Sequence, residues 1–169
     1  MAIDLTLPET SSPAIDPYKE MPGELNPFAL FVHIPFDDGK EVAEIERVCN
    51  QEARDGEDDF DDVVKRATPR FDFRDEPLRA SVAYFIDTLL PTKKWDYFYF
   101  IAVVDEDWRE KGVLMVTMDD GTNEDEAHID ICRVPAAESG LNLMNLQISN
   151  MDWEEYKDAE DGSDEEDED

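Results

Sequence analysis

The chain has 169 residues, 41% of them hydrophobic, and carries 45 Asp and Glu against 15 Lys and Arg, for a net charge of −30. That is enough apolar material for one domain with a packed core. It excludes direct nucleic-acid binding and attachment to an anionic membrane, because both need clustered bases to replace counterions, and leaves basic proteins and metal cations as the natural electrostatic partners.

Residues 1–26 read as a proline-containing arm with no hydrophobic period. They show neither the basic start nor the apolar run of a secretory signal. No segment approaches the roughly 20 apolar residues that span a bilayer. Cys49 and Cys132 stand far apart, each within an apolar pattern. They predict buried, reduced thiols and an intracellular, cytoplasmic setting, or a nuclear one if the source is eukaryotic.

An α/β domain is expected over residues 27–157. "FALFVHIPF" (28–36) is a continuous apolar run, as in a strand buried on both faces. Asp38 and Glu41 fit a capping box, and Val42, Ile45, Val48 and Cys49 then line one face of a helix. Phe60, Val63, Val64 and Ala67 keep a helical spacing and predict a short helix. "TPRFDFRDEP" predicts a strand near 70–74. "LRASVAYFIDTLLP" predicts an amphipathic helix with Val82, Phe85, Ile86 and Leu89 inward, stopped at Pro91. "WDYFYFIAVVD" (95–105) is aromatic and β-branched, as central strands are. "GVLMVTM" and "HIDICRV" flank an acidic loop and predict an antiparallel hairpin.

The order β-α-β-α-β, followed by a hairpin and a C-terminal helix, predicts a mixed, mostly parallel sheet with right-handed crossovers. After Val134 a helical turn is expected to break near Gly140. A last helix starts at Ser149 or Asn150, with Trp153 and Tyr156 on one face. Residues 158–169, "DAEDGSDEEDED", hold nine acids and predict a disordered tail. Leaving those nine out still leaves 36 acids against 15 bases, so the rest of the chain is acidic too.

The segment "NLQISNMDWEEY" resembles the C-terminal signature N-L-x-I-x-N-M-D-[FW]-E-E-[FY] of a family of small uncharacterised domains, mainly bacterial and also fungal. The matching residues run from Asn145 through Tyr156. The likeness extends upstream through "PFDD", "FDFRDEPL" and "YFYFIAVVD", over residues 28 to 158. It implies a single small α/β domain and supplies no activity and no catalytic residue. The arm and the acidic tail depart from the family pattern.

Two constellations carry candidate chemistry. Parallel α/β sheets place ligands beyond the carboxyl ends of their strands. Asp37 and Asp38 follow the first strand, Asp75 the second and Asp105 the third, so Asp37, Asp38 and Asp105 form a candidate Mg²⁺ site of hard oxygen ligands. An acid-rich chain also puts acids at strand ends by chance. The second constellation is aromatic. Trp108 beside Glu106 and Asp107, and Trp153 beside Glu154 and Glu155, would bind Lys or Arg by cation–π contact and ion pairing. Trp108 serves equally well as a cap on the sheet edge, and Trp153 reads first as a core residue pinning the last helix. His33, in mid-strand, reads as a hydrogen-bonded core histidine. No phosphate loop, nucleophile elbow or calcium loop is present.

The sequence therefore predicts a non-enzymatic acidic module binding a basic protein surface, as an escort or as a nucleic-acid mimic. The alternative is a Mg²⁺-dependent enzyme or phosphate-handling domain.

Overall fold

The apolar run Phe28–Val32 forms strand β1, and all five of its residues are fully buried. In the computed structural model, which describes residues 3–7, 26–36, 39–53, 62–119, 128–147 and 153–157, β1 lies inside a five-stranded sheet. Helix α1 (Gly39–Cys49) leads to β2 (Val64–Arg66), and α2 (Leu78–Tyr84) leads to β3 (Tyr99–Val103). A one-turn helix, α3 (Trp108–Lys111), precedes β4 (Val113–Thr117). β5 (Asp130–Val134) and α4 (Ala136–Gln147) follow, and residues 153–157 are helical.

The strand order is β2-β1-β3-β4-β5. β1 pairs in parallel with both β2 and β3, while β3–β4 and β4–β5 are antiparallel. The three helix-linked strands are parallel, but the second is Val64–Arg66 and not the expected strand near 70–74. The sheet as a whole is evenly mixed rather than mostly parallel, because the hairpin supplies two of the four pairings.

Period-two alternation splits the core in two. Ala29, Phe31, Phe100, Ala102, Leu114 and Val116 face one side, beneath α2. Leu30, Val32, Ile101, Val103, Met115 and Cys132 face the other, beneath α1, α4 and Trp153. Helices on both faces make three layers.

Several local expectations need correction. The segment around Val64 is strand rather than helix. Asn50 captures it: its Oδ1 accepts from the Val63 and Val64 amides at 2.8 and 2.9 Å, and its Nδ2 donates to the Val64 carbonyl at 3.0 Å. Glu46 Oε2 accepts from the Arg66 amide at 3.1 Å. Side chains beyond α1's core face thus stand in for the neighbour that an edge strand lacks. Phe60 lies outside the described residues. The expected strand at 70–74 shrinks to one parallel bridge between Asp72 and Val32. The second helix does not stop at Pro91. It widens into a π turn over Phe85–Leu89, tightens into a 3-10 turn over Leu90–Thr92, and ends at Lys93 with φ 59°.

α4 runs straight through Gly140. A Cβ there would lie 2.5 Å from the Cys49 carbonyl oxygen and 3.2 Å from Val63. The glycine lets α4 approach the end of α1; it does not break the helix. The capping residues Asp38, Ser149 and Asn150 and the tail 158–169 lie outside the described residues.

Candidate functional site

The connection from β1 to β2 crosses one face of the sheet, and that from β2 to β3 crosses the other. The chain therefore leaves β1 and β3 in opposite directions. In such sheets a crevice opens at the carboxyl ends of those two strands. A cleft of about 270 Å³ lies there. His33, Ile34 and Pro35 line it from the end of β1, and Val104, Asp105, Glu106 and Asp107 from the end of β3. Asp75, Lys111 and, from the N-terminal arm, Ile3 complete the lining. Pockets for drug-sized ligands span roughly 300–1,000 Å³, so this cleft suits a side chain or a small molecule.

Its charge is acidic, with four carboxylates against one ammonium. Asp105 is committed to an ion pair with Arg133 from β5, whose guanidinium also donates to the Lys111 carbonyl at 3.5 Å. Asp75 sits at φ 64°, a left-handed conformation that Asp tolerates, and its amide donates to the His33 carbonyl at 3.1 Å. Glu106 and Asp107 are exposed at the rim. Ile3, Ile34, Pro35 and Val104 supply apolar wall.

His33 lies at the base of the cleft and is fully buried. Its Nδ1 is 2.9 Å from the Glu76 carbonyl and its Nε2 is 3.0 Å from Ser81 Oγ. A carbonyl only accepts, so Nδ1 carries a proton. Burial holds the His33 pKa below its ordinary value. Ser81 is equally buried, and its one hydroxyl proton is shared between two acceptors, the Leu78 carbonyl at 2.9 Å and His33 Nε2, a structural role that keeps the hydroxyl from a substrate. Cys49 is no nucleophile either, since burial pushes its thiol up to about 11.

The predicted site residues separate. Asp105, Glu106 and Asp107 meet at the cleft. Asp37 and Asp38 lie outside the described residues. Among the described residues, no three His, Cys, Asp or Glu come together as a metal-ligand group. Trp108 follows Asp107 directly but turns inward, 2% exposed, with the Arg109 guanidinium 4.4 Å over its ring. It is core, not an exposed anchor, because it begins α3 with its ring in the second core. Trp153 is also core, 5% exposed. It stacks on Tyr99 at 6.3 Å, and its Nε1 donates to Asp130 Oδ2 at 2.9 Å. Lys157 donates to the Ile131 carbonyl at 2.9 Å, so this last turn closes the edge of β5. Glu154 and Glu155 are exposed on this turn.

Sequence reasoning missed Ile3, His33 and Lys111 as parts of the cleft. Strand polarity signalled the position of His33, one residue past β1. Nothing signalled the return of the arm.

Fold and cleft together define a doubly wound α/β domain with an acidic switch-point crevice. Residues 29–165 match the family described as a domain of unknown function, DUF6924, and the chain belongs to that family. No curated protein and no solved structure shows significant similarity to it. Among the described residues no helix is long and apolar enough to cross a membrane.

Proposed function

We propose that this domain is a non-enzymatic interaction module for a basic protein surface, and that the switch-point cleft receives a Lys or Arg side chain of that partner. The supporting observation is the pairing of apolar walls with an acidic rim in one cleft. Lys and Arg have that same division, an apolar stem and a charged head. Mg²⁺ instead keeps a shell of oxygen ligands and waters, and would leave the wall of Ile3, Ile34, Pro35 and Val104 unused. Of the predicted Mg²⁺ ligands, Asp37 and Asp38 lie outside the described residues, and Asp105 already pairs with Arg133. Rim charges held by the fold support recognition by the folded face, with the acidic tail adding capture rate. The reading includes an intracellular setting, consistent with the free, buried Cys49 and Cys132.

The test uses a labelled Lys/Arg-rich peptide and the full chain, read by fluorescence anisotropy. Glu106→Gln with Asp107→Asn is compared with Asp87→Asn with Glu138→Gln, exposed acids outside the cleft. Both pairs remove two charges. The rim pair is expected to lose affinity by about tenfold, roughly 1.4 kcal/mol, and the control pair much less. Equal losses would make the binding a matter of net charge and remove the cleft from the account. Saturable Mg²⁺ binding lost on Asp105→Asn would favour the alternative.

A further inference from the structure

Residues 3–7 lie extended on the first core, with Ile3, Leu5 and Leu7 inward and Asp4 and Thr6 outward. Asp4 adds polar ties to that packing. The Asp4 carbonyl accepts from the Leu78 amide at 2.9 Å. Leu78 is the first residue of α2, whose amide has no acceptor within its own helix, and Pro77 before it provides no side-chain cap. Asp4 Oδ2 pairs with Arg79 at 2.8 Å, and its Oδ1 accepts from the Thr6 amide at 2.9 Å. The Asp4 and Arg79 side chains are each about half exposed, so solvent weakens the pair. Ile3, at the far end, forms part of the cleft wall. One pentapeptide therefore caps a helix and completes the cleft.

We propose that residues 3–7 form a detachable strap that sets the cleft's specificity by delivering Ile3 to its wall, so that ligand binding and strap docking reinforce one another. The proposal rests on the reading of the cleft as a socket for a Lys or Arg side chain. A stem packed against Ile3 favours the docked strap. By linkage, the docked strap raises affinity by the same factor. Local opening of a segment whose residues are all half-buried or exposed is the expected route of release.

The Leu78 amide reports the strap directly, since Asp4 is its acceptor. Hydrogen exchange at that amide, followed in the full chain with and without the Lys/Arg-rich peptide, should slow several-fold on saturation. Ile3→Ala and Arg79→Gln should each weaken the peptide several-fold. Arg79→Gln makes the protein more negative, so charge alone would strengthen binding; a loss therefore identifies the strap. Peptide binding that leaves Leu78 exchange unchanged and is as tight or tighter in both variants would overturn the strap and spare the cleft. No peptide binding to the unmodified chain would overturn both.

Discussion

Asp96 at the amino end of β3 and the rim pair Glu106 and Asp107 beyond its carboxyl end are treated in opposite ways. At the amino end, Asp96 is 7% exposed and its oxygens are fully engaged. Oδ2 accepts from the Phe98 and Tyr99 amides at 3.0 and 2.9 Å, and Oδ1 accepts from Gln147 Nε2 at 3.0 Å. Gln147 also donates to the Asn26 carbonyl at 3.0 Å, so this acid ties the start of β3 to the end of α4. At the carboxyl end, Glu106 and Asp107 stand exposed around an open cleft. The same residue type closes the fold where donors surround it and leaves a site where they do not. In a chain with 45 acids, counting acids finds neither place; counting donors distinguishes them.

Substitutions sharpen the contrast. The largest effect belongs to the residue that borders the rim yet faces the core. Trp108→Ala should destabilise by about 3–5 kcal/mol in urea unfolding, because it empties a buried aromatic site. A loss below about 1 kcal/mol would return Trp108 to the surface and blur the line between rim and core.

Asp96→Ala should cost about 2–4 kcal/mol, since two backbone amides and the Gln147 amide lose their acceptor. Its pH dependence sets it apart from the rim acids. Burial raises the Asp96 pKa above 3.8. The folded state thus keeps this proton at pH values where the unfolded chain has released it. Stability from this group falls as pH rises from the ordinary carboxyl value through the raised one, and returns as pH falls. The unmodified chain should therefore gain stability relative to Asp96→Asn, which cannot titrate, as pH is lowered from 7. A pH-independent difference between the two would remove the contrast.

The smallest effect on stability is expected at the cleft. Glu106→Gln with Asp107→Asn should change unfolding free energy by less than about 0.5 kcal/mol, because exposed acids hold little structure. A loss as large as that of Asp96→Ala would make the rim structural.

The sequence revealed most where the core dictates geometry. The run at β1, the aromatic strand β3, the hairpin and the inward face of α2 all follow from burial on a pleat or a helix. Val64–Arg66 escaped because three residues carry almost no period, and the decisive partners, Asn50 and Glu46, come from a neighbouring helix. Gly140 misled because its signal is ambiguous: a helix end and a close helix crossing both require glycine. The acids of the cleft were legible from strand polarity. Its apolar wall was not, since Ile3 reaches it through tertiary contact. The inward turn of Trp108 depended on α3, four residues too short to announce themselves.

The central claim, that the carboxyl-edge cleft takes a basic side chain, is tested most directly by backbone NMR of the full chain titrated with Nα-acetyl-arginine amide. Saturable shifts centred on Asp75, Val104 through Asp107 and Lys111, with the surroundings of Asp96 unmoved, are the predicted result. Shifts scattered over the acidic surface without saturation, or centred elsewhere, would contradict it.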